Sequence, residues 1–150
     1  MPTYDCNSCG RFGTTTTFIP EACSSCGGGL ALTEAEQRAV TERIAAQNDR
    51  FRTTLGTSPD VPGQLVVTQG VMGKGAGFLA AASAAVQAFT TFTEEDDPHG
   101  EHDFGSVTVE GVAVWWKIDL YDPAYGYGSE RRDDLTATRR VLTLLLPEDY

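Results

Sequence analysis

Basic residues are scarce in this chain. Residues 63–150 hold six Lys and Arg against fourteen Asp and Glu, and the full 150 residues carry a formal charge of −10. Such a field repels nucleic acid and anionic membrane surfaces and steers toward basic partners, so direct nucleic-acid binding is not expected. Long apolar runs are also missing. No stretch approaches the ~20 residues needed to span a bilayer. The start, MPTYDCNSCG, lacks the charged segment and apolar core of a secretory signal. A cytoplasmic location is expected, and reduced cysteines with it. No cysteine occurs after Cys26, and the chain has two histidines, His99 and His102. What remains is 41% hydrophobic and 21% charged, enough for one packed domain with a small appendage.

The cysteines are grouped. Cys6 and Cys9 form one C-x2-C pair and Cys23 and Cys26 a second, with Gly10 and Gly27 close behind. Each pair can turn two thiolates toward one centre, and two pairs complete a tetrahedral zinc shell. Two disulfides are the alternative, which the compartment disfavours. A closed four-thiolate shell leaves no position for water, so the zinc is expected to be structural. Residues 1–30 are therefore expected to form a zinc-ribbon-like module, and residues 31–150 an α+β domain. Metal binding would supply the folding energy that so short a segment lacks. Arg11 is the module's only basic residue, so it suits protein docking or stabilisation better than phosphate binding.

Gly27-Gly28-Gly29 reads as the linker. Thr33 with Glu36 is a capping box that opens a helix over about 34–54. Val40, Ile44, Phe51 and Leu55 fit one stripe of it. Arg43 and Arg50 are expected to pair with glutamates along the helix. After Pro59 and Pro62 a short strand, GQLVVTQG, leads through GVMGKGAG into the helix FLAAASAAVQAF. The loop lacks the first glycine and the Ser or Thr of a phosphate loop. An anion at the helix start is a lesser alternative to a simple turn.

The centre of the pattern is FGSVTVEGVAVWWKIDLY, residues 104–121. Its period of two reads as a β-hairpin turning at Glu110-Gly111. That turn makes paired residues sum to 221. Trp116 then faces the core, and Trp115, Lys117, Asp119 and Tyr121 face outward. Extending the register by two pairs places His102 opposite Asp119. His102, Asp119, Lys117 and Tyr121 are therefore the candidates for any catalysis. The preceding TEEDDPHGEHD is dense in carboxylates and could offer ligands to a hard cation, or be a solvated loop. Glu94, Glu95 and Asp96 are candidates for contact with a basic partner. A long loop over 122–140 carries Tyr125 and Tyr127, candidates for partner contact with Trp115. Val141–Leu146 reads as a buried strand. The expected architecture is an antiparallel sheet of about four strands with two helices on one face.

DPHGEHDFG at 97–105, WKIDLYD at 116–122 and RVLTLLLPEDY at 140–150 resemble a bacterial family catalogued as a domain of unknown function. VVTQGV and the helical Asn48, Asp49 and Arg52 are also similar to it. Members are often carried on plasmids and other mobile elements, near anti-restriction genes. The resemblance implies a mobile-element protein and transfers no catalytic residue. Three functions compete. The first is a non-enzymatic binding protein, such as an inhibitor of a host defence system, that meets a basic patch on a host protein. The second is a phosphoester hydrolase built on His102 and Asp119. The third is a small-molecule or nucleotide binder.

Overall fold

The computed structural model describes residues 3–6, 12–14 and 30–150, with side chains from residue 33 onward. The chain divides into two compact units, Met1–Thr41 and Glu42–Tyr150. In the first, β1 (Thr3–Cys6), β2 (Phe12–Thr14) and β3 (Leu30–Leu32) form an antiparallel sheet in the order β2-β1-β3. The helix α1 (Glu34–Thr53) opens on Thr33, whose Oγ1 accepts the Glu36 amide at 3.2 Å, as the capping signal predicts.

The second unit begins within α1, at Glu42, and continues with β4 (Gly63–Val67), α2 (Gln69–Met72), α3 (Ala76–Ala88), β5 (Phe104–Val109), β6 (Val112–Tyr121) and β7 (Arg139–Leu145). A 3-10 turn, Pro147–Asp149, follows. The hairpin register is the expected one, from Phe104 opposite Lys117 to Val109 opposite Val112. Glu110 and Gly111 both take positive φ, 52° and 79°, as a two-residue type I′ turn requires.

The sheet order is β4-β7-β6-β5, and it is mixed, which corrects the expected antiparallel sheet. β4 runs parallel to β7, with Gly63 opposite Arg140 and Val67 opposite Leu144. The reason lies in the connection. After β4 the chain crosses by way of α2 and α3 and enters at the far edge, so β4, β5 and β7 share one direction. A short apolar run says nothing about strand direction. The GVMGKGAG stretch contains a one-turn helix, α2, capped by Thr68. α3 then starts after Gly75, at φ 102°. Among the described residues, no helix is long and apolar enough to cross a membrane.

One sheet face packs against α1 and α3. Val114, Trp116, Ile118 and Leu120 of β6 are buried there, aligned with Leu144, Leu142 and Arg140 of β7. Phe78, Ala82 and Val86 of α3, spaced by four, supply one covering stripe. Ile44 and Phe51 of α1 supply the other. Each large apolar side chain so buried contributes roughly 1.5–3 kcal/mol. Arg52 of α1 ties the layers together: Nη1 donates to the Val86 carbonyl at 2.7 Å, and the guanidinium lies 5.2 Å from the Trp116 ring centre. Arg43 and Arg50 of α1 pair outside the helix, Arg43 with Asp133 at 3.0 Å and Arg50 with Asp60, in place of the expected intrahelical glutamates.

Candidate binding face

The other face of the sheet, opposite α1 and α3, carries the outward row of the hairpin. The register sets out its rows. Asp119 lies beside Val141, Lys117 beside Thr143, and Trp115 beside Leu145. Val66 of β4 extends the Thr143 row on the far side. The middle positions, Val141 and Thr143, are short, while Lys117, Tyr121 and Tyr150 around them are long. The result is a concavity of about 410 Å³, closed at one end by Thr68, Asp149 and Tyr150.

Its polar groups are partly paired. Lys117 Nζ is 3.1 Å from Asp119 Oδ2, with both side chains more than a third exposed. Asp149 accepts from Thr68 Oγ1 at 2.7 Å and from the Leu146 amide at 2.9 Å. These two bonds, that from Thr68 first, hold its carboxyl below the usual carboxylate range, so it stays ionised. Trp115 stands between Phe104 and Tyr150, in edge contacts of 5.5 and 6.0 Å. At the opposite end Tyr121 meets Tyr125 at 6.4 Å. The long loop is held by its own bonds: Gly126 donates to Asp122 Oδ1, and the Asp122 amide donates to the Tyr127 carbonyl. This turn leaves Tyr127 81% exposed.

His102 does not join this face. It takes φ 56°, which turns the chain just before β5 begins. Asp97 holds that turn by accepting the amides of Glu101 and His102 at 3.0 and 3.2 Å. The imidazole instead stacks on Phe92 at 3.8 Å and meets Asp49 of α1 through Nδ1 at 2.9 Å. Phe92 packs edge-on to Trp116, so His102 is on the helix-covered side and Asp119 on the open one. The expected His102–Asp119 pair is therefore corrected: Asp119 pairs with Lys117, and His102 with Asp49.

The covered side holds a network that spacing alone does not reveal. Arg140 is fully buried; its Nε donates to Asn48 Oδ1 at 2.7 Å and its Nη2 to Gln47 Oε1 at 2.8 Å. Asn48 Nδ2 donates in turn to the Glu101 carbonyl at 2.9 Å. The Glu101 carboxylate takes both ends of the Arg132 guanidinium. Burial, and then the nearby Arg132 charge, lower the Arg140 pKa to about 10, against the attraction of Glu101. It remains a cation at neutral pH. One signal was present in the sequence: Arg140 shares the parity of Leu142 and Leu144, the face expected to be buried.

Asp103 adjoins this network and its pKa is raised, by burial first and then by the charge of Glu101. The folded state therefore holds this proton more tightly than the unfolded state does. The Asp103 contribution to stability must fall as pH rises between the unfolded and folded pKa values, then level off. Asp103→Asn is expected to raise the melting temperature at pH 7 and to flatten the loss above the unfolded pKa. Parallel melting curves of the two proteins at pH 3.5 to 7 test this; lower stability of the variant at pH 7 would refute it.

Glu94, Glu95 and Asp96 are exposed together in one turn. Among the described residues, no three His, Cys, Asp or Glu converge as a metal site, so the carboxylates of 93–103 do not gather for a cation. Cys9, Cys23 and Cys26 lie outside the described residues, and of Cys6 only its position at the end of β1 is described.

Residues 67–149, more than half of the chain, match the model of a family described as "Protein of unknown function (DUF3768)". The match takes in the hairpin, the acidic turn and β7, while α1 with Asn48, Asp49 and Arg52 precedes it. No curated protein and no solved structure matches the chain.

Proposed function

We propose that this chain, which belongs to the DUF3768 family, is a non-enzymatic binding protein that receives a protein partner on the open face of its sheet. The observation that carries this reading is the uncovered concavity beside Lys117, Asp119 and Tyr121, continued by the aromatic side chain of Tyr125, with Tyr127 exposed on the same loop. Exposed aromatics on a rigid frame are what protein interfaces use as anchors. The group best suited to acid–base chemistry, His102, is committed to Asp49 and Phe92 on the covered side. The formal charge of −10 and the exposed Glu94, Glu95 and Asp96 favour a partner with a basic patch. The resemblance to mobile-element proteins makes a host protein the partner, and inhibition of a host defence system the activity we infer.

The test is differential capture from host extract on the immobilised full chain. The partner should be retained by the wild type and reduced at least about tenfold by Asp119→Lys with Tyr121→Ala, the loss of two contacts of about 1 kcal/mol each. Equal retention by a folded variant would reject the face.

We also infer that Cys6, Cys9, Cys23 and Cys26 hold one structural zinc ion, a reading supported by their spacing alone. Elemental analysis of the purified chain should give about one equivalent, the content of a single four-thiolate shell. Two disulfides in its place would overturn the assignment.

A further inference from the structure

The concavity has a definite chemistry. Its floor is short and apolar at Val141 and Val66, with the Thr143 hydroxyl between them. Its lining holds two carboxylates, Asp119 and Asp149, against one ammonium, Lys117. That ammonium is already spent on Asp119 at 3.1 Å, which weakens its attraction for an incoming anion. The next cation along the face, Arg139, lies opposite Tyr121 and is held by the carbonyls of Leu135 and Thr138. Asp149 remains ionised under its bonds from Thr68 and Leu146. Two phenol rings, Tyr121 and Tyr150, border the hollow. An apolar channel, aromatic borders and surplus negative charge match a long aliphatic stem that ends in a cation.

Resting on the binding-face reading above, we propose that this concavity takes an arginine side chain presented by the protein partner. The stem lies over Val141 and Thr143, and the guanidinium meets Asp119 while stacking on the Tyr121 ring. Arginine is preferred to lysine because its planar head is weakly hydrated, stacks on aromatic faces and bonds a carboxylate through two N–H groups. The chain's net charge of −10 adds a long-range attraction for the same ligand, one that salt weakens.

The probe is a blocked tripeptide amide, alanine–arginine–alanine, titrated into the 15N-labelled full chain, with the glutamate analogue as control. The arginine peptide should shift the amide resonances of Lys117, Asp119, Tyr121, Val141 and Thr143 saturably, and the glutamate peptide should leave them in place. Asp119→Asn should weaken the arginine peptide about tenfold, the loss of one charge-assisted contact. Tyr121→Leu, which keeps the bulk and removes the ring, should weaken it as well. Equal binding of the glutamate peptide, or arginine binding unchanged in both variants, would overturn the proposal. If the peptide fails while capture still depends on Asp119 and Tyr121, the arginine assignment alone falls. If capture is also indifferent to those residues, the binding face falls with it.

Discussion

Trp116→Ala is expected to lower the unfolding free energy by about 3–5 kcal/mol, the range for large aromatics truncated in packed cores. Trp116 is fully buried, with Phe89 edge-on at 5.4 Å and the Arg52 guanidinium at 5.2 Å. The strand across from it has been cleared to admit the indole. A Cβ on Gly105 would fall 2.5 Å from Trp116 Nε1 and 2.8 Å from the Phe89 ring. Removing the indole leaves a cavity that a sheet cannot collapse to fill, and takes the aromatic partner from a buried cation. Trp115, next in the chain but on the opposite face, loses only partial contacts with Phe104 and Tyr150. Its alanine variant should cost about 1–2 kcal/mol, in proportion to the smaller apolar area it buries. Urea denaturation of the two variants measures the contrast, and equal losses would contradict the facing of the hairpin.

Asn48→Ala is expected to be nearly as damaging, at about 2–5 kcal/mol, because each buried polar group left without a partner costs about 1–3 kcal/mol. Asn48 is the joint between the Arg140 guanidinium and the Glu101 carbonyl, and its loss strands both. Arg140 has little reserve. Its Nη1 already finds no acceptor, and Gln47 would be its remaining side-chain partner. The converse experiment is more telling. Replacing the cation and its partner together, Arg140→Met with Asn48→Leu, should recover much of the loss, since an apolar pair of similar volume carries no desolvation penalty. A double variant as unstable as the sum of the two singles would show that the residues act independently and would refute the coupling.

Local alternation settled much of this protein in advance. The period of two over residues 104–121, with Glu110-Gly111 at its turn, determined the hairpin, its register and the opposite facing of Trp115 and Trp116. Thr33 and Glu36 determined where α1 opens. These features rest on residues close in the chain, whose geometry is set by a few dihedral angles. The open row of Lys117, Asp119 and Tyr121 was legible for the same reason. Its completion by Thr68, Val66, Asp149 and Tyr150 was not, because strands and turns distant in sequence bring those residues together.

Only the tertiary structure decided the direction of β4, which depends on how α2 and α3 cross the sheet. It also decided the fate of His102. Extending the hairpin by two pairs would set His102 against Asp119, but the turn held by Asp97 at positive φ ends the strand first. The imidazole then follows the strongest partners within reach, the Asp49 carboxylate and the Phe92 ring. Arg140 follows the same logic. Alternation placed position 140 on the covered face, and only α1, 92 residues away at Asn48, supplies the polar group that makes a cation tolerable there. Periodicity determines which face a side chain takes, and the elements packed against that face determine what it can bond.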